Sequence, residues 1–385
     1  MKSYSLSLFV AACLVNSVSA AFFGDPPDAN HPWSVHDDNR PQPPRVEPAD
    51  VPGGAPSDAV VLFDGTEASF ENWEHARPDE KRKADWVVQD GYLLGVDGAG
   101  YIQTKEQFSD CQLHIEWSHA QQLPGEGQKR GNSGVFLPGG IEVQVLDNYN
   151  NPTYPDGTAG AVYGVMPPAA NALRAPGEWQ SYDIIYRRPI VRDGVVLDEG
   201  SMTVLMNGVV VQDSTPLDGG GGYKKRKALN HPYPERGPLA LQDHGNPVRF
   251  RNIWVRPLRP RSEDGGTDGR ISEVATKVKR AELAAQVRSD ARRLDGVPRI
   301  LRQLESLVYA EDAPTRTEAE QSIQEYLQRV SQLSTEQLKL HRVALLDLHA
   351  ALAYLQKHQR LSAEDATTRE LVALIDAQGW KKRKP

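Results

Sequence analysis

The stretch "GIEVQVLD" (140–147) sets an acid and an amide two residues apart, with a second acid three residues further on. In an extended chain Glu142 and Gln144 project to one side, with about 6.6 Å between their Cα atoms, and Ile141, Val143 and Val145 take the other side. Asp147 falls out of phase, and a bulge at Val145–Leu146 would return it to the polar face. Two carboxyls whose environments push their pKa values apart can divide acid and base work. A solvated strand face accounts for the same pattern as simply as a polar cleft does. A second group lies in "LALQDHGNPVRFRNIWVRPL" (239–258), where Gln242, Asp243 and His244 form a turn ahead of a strand carrying Arg249 and Arg251. His244 is the best base by residue type, because imidazole titrates near neutrality. A turn histidine capping backbone is the plainer alternative. Asn132 and Ser133, flanked by Gly131 and Gly134, place hydrogen-bonding side chains on tight backbone just before Glu142. Glu178 in "PGEWQ" is either a site acid or an acceptor for backbone N–H groups. Arg251 is either a site cation or the partner of an acid in its own sheet.

Short alternating runs fill the chain from about Ala59 to Leu258, among them "CQLHIEWSHA" and "SMTVLMNGVVVQDS". In the first, Leu113, Ile115 and Trp117 alternate with Gln112, His114 and Glu116, giving a second polar row. Asp90-Gly91 and Asn207-Gly208 favour two-residue hairpins. Many short strands without intervening helices predict a mainly β fold, an antiparallel β-sandwich over residues 58–258. Residues 21–57, dense in Pro, Asp and Gly, predict an extended linker or a surface strap. After "RPRSEDGGTDG" (260–269), a linker over 259–269, the period becomes helical, and 270–380 predicts a bundle of four or five helices. One helix is expected across "STEQLKLHRVALLDLHAALAYLQKHQR", with Leu338, His341, Leu345, Leu348, Leu352 and Leu355 on one side and Ser334 opening it through a capping box. His341 and His349 read as packed or solvated side chains. The basic end, 381–385, reads as a solvated tail.

With 39% hydrophobic and 25% charged residues among 385, the chain is globular, and its formal charge of −7 excludes the basic excess of a nucleic-acid binder. "MKSYSLSLFVAACLVNSVSA" (1–20) has the layout of a secretory leader cut before Ala21, which predicts an exported protein, periplasmic or extracellular. "VAAC" at 10–13 offers a lipoprotein box acylating Cys13 as the alternative. No later run reaches the ~20 apolar residues of a membrane span. Loss of Cys13 leaves Cys111 without an intrachain partner.

The E-x-Q-x-x-D row resembles the E-x-D-x-x-E catalytic strand of laminarinase-like glucanases, with an amide at the centre and a shorter last acid. A retaining pair needs two carboxyls about 5–5.5 Å apart, and Gln144 in mid-row puts ordinary two-carboxylate hydrolysis in doubt. A longer resemblance is carried by "VVLFDGT" (60–66), "GNSGVFLPGGIEVQVLDN" (131–148), "AVYGVMPPAANALRAPGEWQSYDIIYRRP" (161–189) and "GPLALQDHGNPVRFRNIWVRPL" (237–258). These resemble, in order, the 3-keto-disaccharide hydrolase family, also described as 3-keto-glucoside 1,2-lyase or 3-keto-2-hydroxyglucal hydratase. The resemblance implies a concanavalin-like jelly roll acting on a carbohydrate oxidised at C3. The ketone acidifies the C2 hydrogen, so a base removes it, the C1 oxygen leaves, and water adds. Carried onto matching positions, it implies Glu142, Asp147 and His244 as catalytic residues, with Asn132, Gln144, Glu178 and Arg251 binding substrate. His244 or Glu142 would be the base, Asp147 the acid or a metal ligand, and Arg251 or a divalent cation the enolate stabiliser. The chain departs from the family at Ser118, where an arginine is frequent, and in the extra length of "HAQQLPGEGQKR" and "DGGGGYKKRKALNHPYPER". In the latter, four glycines before Lys224, Lys225, Arg226 and Lys227 predict a mobile basic lip that touches an acidic sugar or a partner, or is simply solvated. A lectin-like binding module and a scaffold that takes a protein partner through the helical region are the two non-catalytic alternatives.

Overall fold

The computed structural model describes residues 22–76, 85–259, 261 and 270–382. The leader with Cys13, most of the 259–269 linker and residues 383–385 of the tail lie outside them. The chain divides into two compact units, one of residues 44–265 and one combining 1–43 with 266–385.

The first unit is an antiparallel β-sandwich. Its larger sheet has eight strands in the order Val209–Pro216, Ser201–Met206, Gln180–Arg187, Cys111–Ser118, Arg249–Pro257, Tyr92–Leu94 and Val87–Gln89, with Val60–Phe63 also paired to Arg249–Pro257. The smaller sheet runs Trp73–His75, Ile102–Thr104, Ala240–Leu241, Ser133–Leu137 and Ile141–Val145. Alternation decides what is buried. Leu113, Ile115 and Trp117 of the larger sheet meet Val135, Leu137, Ile141 and Val143 of the smaller in one core. Asp90-Gly91 and Asn207-Gly208 both hold positive φ at their two turn positions, which matches strand twist in a two-residue hairpin. Cys111 is buried in this core, and burial pushes its thiol up to about 12, so it packs as an inert apolar side chain.

Two buried tyrosines cross the core and hold the Ser133–Leu137/Ile141–Val145 pair to the larger sheet. The Tyr182 hydroxyl donates to the Gln144 carbonyl at 2.7 Å and the Tyr186 hydroxyl to the Pro138 carbonyl at 2.6 Å.

In the second unit, helices span Glu273–Ala291, Gly296–Tyr309, Ala313–Ser331, Thr335–Lys339, Arg342–Lys357 and Ala366–Ala377. The single helix expected after Ser334 is broken. Its capping box is present, but Leu340 and His341 bond back three residues, to Gln337 and Leu338, and a new helix starts at Arg342. The slip leaves Leu340 exposed and directs His341 Nδ1 to the Tyr326 hydroxyl at 3.0 Å. His349 is buried, which lowers its pKa. The Pro-rich segment after residue 21 is divided between the units. Phe22 packs edge-on to Tyr354 in the helical core, and Asp37 accepts from the Tyr309 hydroxyl at 2.7 Å. In the sandwich unit, the Gly53 carbonyl accepts from Asn252 and Trp254 at 2.8 and 2.9 Å.

The two tyrosine tethers differ in what their loss leaves behind. The Gln144 carbonyl also accepts from the Gly160 N–H at 3.0 Å, so Tyr182→Phe is expected to cost about 1 kcal/mol or less. Tyr186→Phe orphans a buried acceptor and is expected to cost about 1–3 kcal/mol. Urea midpoints of the two variants decide the order, and equal losses would contradict it.

Candidate active site

The turn Leu137-Pro138-Gly139-Gly140 fixes the register of the strands that carry Glu142. Pro138 presets the first central position, Gly139 takes φ +83°, and the Gly140 N–H closes the turn on the Leu137 carbonyl at 3.0 Å. Phe136 then faces Glu142 and Gly134 faces Gln144. Across the smaller sheet the outward positions form two rows. One is Glu142, Phe136, Ala240, Gln103 and Glu74. In the other, Gln144 sits opposite Gly134, whose carbonyl accepts from the Gln242 N–H at 3.0 Å, and Gln242 Nε2 donates to the Tyr101 hydroxyl. Tyr101 packs on Phe136 with ring centroids 5.7 Å apart.

Glu142 leans diagonally across this face onto Gly134. A Cβ built at Gly134 would collide with the Glu142 carboxyl, so glycine opens the space in which that carboxyl lies. Burial pushes the Glu142 pKa up to about 8, and no hydrogen bond or ion pair offsets it among the described residues. At neutral pH this carboxyl holds its proton. Tyr163, whose N–H donates to the Glu142 carbonyl at 3.0 Å, has its hydroxyl pKa raised by burial, by Tyr154 and by the Glu142 charge. The Gln242 Oε1 is buried with no donor.

Gln144 shares the outward face with Glu142, as period two predicts, and donates to Asn132 Oδ1 at 3.0 Å. Asn132 is buried and donates to the Gln128 carbonyl at 2.8 Å. Both amides are committed to each other and to backbone. The pairing runs without a bulge and the strand stops at Val145, so Leu146 turns into the core. Asp147 is buried in an ion pair with Arg130 Nε at 3.0 Å and receives the Tyr149 N–H. A carboxylate held this way braces the 130–151 loops. Nearby His119 is buried, and desolvation drops it to about 4 against the raising effects of Asp147 and the Gly131 carbonyl.

His244 lies on an exposed turn two residues beyond Gln242. Asp243 braces that turn by accepting from the Gly100 and Gly245 N–H groups at 3.0 and 2.9 Å. Glu178 is exposed and accepts from the Ala175 N–H at 2.9 Å, the backbone-acceptor alternative. Arg251 projects from the outward side of the other sheet, so the whole core separates it from Glu142. There its Nε donates to Glu116 at 2.7 Å and its guanidinium lies 4.0 Å from the Trp179 ring centroid. That cluster continues through His114, stacked on Trp254 and 2.7 Å from Asp183. Burial works against the His114 charge, but Asp183 and Glu116 outweigh it and hold the imidazole up at about 9. His114 in turn, with Asn252 and Arg251, pulls Glu116 down to about 2 against burial. Arg251 therefore pairs with an acid of its own sheet, the second of the two alternatives its sequence allowed. No three His, Cys, Asp or Glu side chains gather as a metal site among the described residues, Glu142, Asp147 and His244 included, so no step is drawn through a cation.

Tyr163, Tyr101 and Phe136 border the Glu142 face and were not singled out by sequence pattern. Tyr163 lies in the "AVYG" motif, which was the signal available for it.

The smaller sheet of this antiparallel sandwich thus presents a carboxyl of raised pKa among aromatic and amide side chains. Residues 58–256 match the 3-keto-alpha-glucoside-1,2-lyase-like domain, and the chain belongs to that family. A 3-keto-disaccharide hydrolase of Bacteroides thetaiotaomicron is 26% identical over 247 residues, which is 52% of this chain and 78% of that protein. A crystal structure from Parabacteroides distasonis ATCC 8503, classed among glycosyl hydrolases, is 45% identical with a TM-score of 0.52, covering 57% of this chain and 93% of the other.

The raised Glu142 pKa has a thermodynamic signature. The group keeps its proton in the fold up to about 8 but releases it near 4.5 when unfolded, so its contribution is fully present below ~4.5 and is lost as pH rises through 8. Glu142→Gln, which cannot ionise, is expected to be more stable than wild type at pH 9 and to lose that advantage at pH 5. Urea midpoints at the two pH values measure this, and a pH-independent difference would contradict it.

Proposed function

We propose that the sandwich cleaves 3-keto-glycosides by elimination and hydration, with Glu142 as the proton carrier at the glycosidic oxygen. One observation carries this reading: a half-buried carboxyl without a cationic partner, raised to about 8, on an outward face bordered by aromatic rings and amides. A surface that only binds sugar gains nothing from a desolvated acid. The family match and the 3-keto-disaccharide hydrolase relative support the substrate class.

The steps balance as follows. His244, from the braced turn beside Gln242, takes the C2 proton. Electrons move to the C3 ketone oxygen, and the enolate expels the C1 oxygen, which takes the Glu142 proton. Water then adds at C1, giving its proton to the Glu142 carboxylate, while C2 recovers a proton from the imidazolium. Phe136 and Tyr101 offer apolar surface to the ring. Arg251 and Asp147 have no part in these steps. The reading includes export, supported by the leader-like residues 1–20. The secreted chain would begin at Ala21, which its intact mass checks.

On a 3-keto-glucoside, Glu142→Gln and His244→Ala are each expected to lower kcat/KM by more than ~100-fold with the fold retained. The wild-type kcat/KM is expected to fall as pH rises through about 8, as the acid form of Glu142 is lost. Sugar affinity with no turnover, or a Glu142→Gln variant of full activity, refutes the mechanism. Gly134→Ala displaces the Glu142 carboxyl without entering the core, so it is expected to lose about 100-fold in kcat while its unfolding midpoint stays near wild type. An active Gly134→Ala protein would show that the carboxyl position does not matter.

A further inference from the structure

The four glycines before the basic run are packed, not slack. A Cβ at Gly219 would press on the Ala228 and Lys227 carbonyls, one at Gly220 on Ile141, and one at Gly221 on the Tyr163 carbonyl; Gly222 alone has open space. These close approaches seat a two-stranded hairpin, Gly221–Gly222 with Lys225–Arg226, backbone against backbone on Tyr163-Gly164. Lys227 is anchored behind it, its N–H on the Gly220 carbonyl and its ammonium on the Gly139 and Gly140 carbonyls, and burial lowers its pKa. The lip expected to be mobile is a hairpin packed at its glycines.

That hairpin borders an open cleft of about 400 Å³ whose other side is Tyr154 and Tyr163, with hydroxyls 3.1 Å apart. Tyr223 adds a third aromatic ring, and Lys224, Lys225 and Arg226 are set against one acid, Asp156. Lys224 lies over the Tyr223 ring at 5.0 Å, and Arg226 reaches Asp218 only at 3.9 Å with both side chains largely exposed. The cations are therefore weakly committed within the protein. Tyr163 belongs both to this cleft and to the electrostatic surroundings of Glu142. The cleft thus adjoins the surroundings of Glu142 through Tyr163 and offers aromatic surface and positive charge.

We propose that this hairpin selects the leaving group, and that the preferred substrates are 3-keto-glycosides of an aromatic aglycone bearing a carboxylate. The three tyrosines receive the aromatic ring, and Lys224, Lys225 and Arg226 receive the carboxylate. The proposal rests on the reading of Glu142 as the proton carrier, since that fixes which end of the glycoside faces the hairpin.

The test uses a matched pair differing in charge alone, 4-carboxyphenyl and 4-carbamoylphenyl glucosides, each as the unoxidised compound for binding and as the 3-keto form for turnover. Calorimetry on the full chain is expected to show about tenfold tighter binding of the carboxylate, a preference that shrinks in ~0.5 M salt. In a Lys224→Gln/Lys225→Gln/Arg226→Gln protein the ratio is expected to approach one, for affinity and for kcat/KM alike. Equal binding of the pair by wild type, or an unchanged ratio in the triple variant, overturns the proposal. Charge-selective binding with no turnover of either 3-keto compound would leave the hairpin's selectivity standing and sink the catalytic reading.

Discussion

The site depends on one desolvated carboxyl that nothing neutralises. Glu142 lies in space left by Gly134, and that space exists because a Pro-Gly turn sets the register of two adjacent strands. Tyrosine hydroxyls reaching across the core then hold those strands in place. Each link is ordinary, and together they set where the carboxyl lies. Its elevated pKa is thus a property of the whole smaller sheet, and its magnitude reflects how well the sheet excludes water from that spot.

A second glutamate shows how much the surroundings decide. Glu116 occupies the outward face of the other sheet, where His114, Asn252 and Arg251 converge on it and keep it ionised at about 2. Glu142 has no such company and titrates about six units higher. Same side chain, same kind of strand face, opposite charge states at neutral pH: one acid stitches strands together, and the other is free to exchange a proton.

What the sequence disclosed follows from the range of the interactions involved. Period-two alternation and turn dipeptides are local, so the sandwich, the hairpins and the shared side of Glu142 and Gln144 were legible. The ion pair of Asp147 with Arg130 was not legible, because it depends on the strand ending at Val145 and Leu146 finding the core, which local pattern does not encode. The choice between the two alternatives for Arg251 stayed open because its partner Glu116 is fixed by pairing with Cys111–Ser118, over 130 residues earlier. The glycine run was read as slack because its packing partners, Ile141 and Tyr163, are distant in the chain. The helix break at Leu340–His341 preserved the apolar spacing on both sides, so periodicity alone could not reveal it.

The division of the chain has a consequence for biosynthesis. Residues 22–43 pack with helices that are made after residue 266, while the entire sandwich, 44–265, is translated in between. At roughly 5–20 residues per second, Phe22 leaves the ribosome well before Tyr354 exists, so it must wait unpaired with its apolar ring in water or in the hands of a chaperone. The sandwich can close while the ribosome is still working. The helical unit is topologically obliged to finish last.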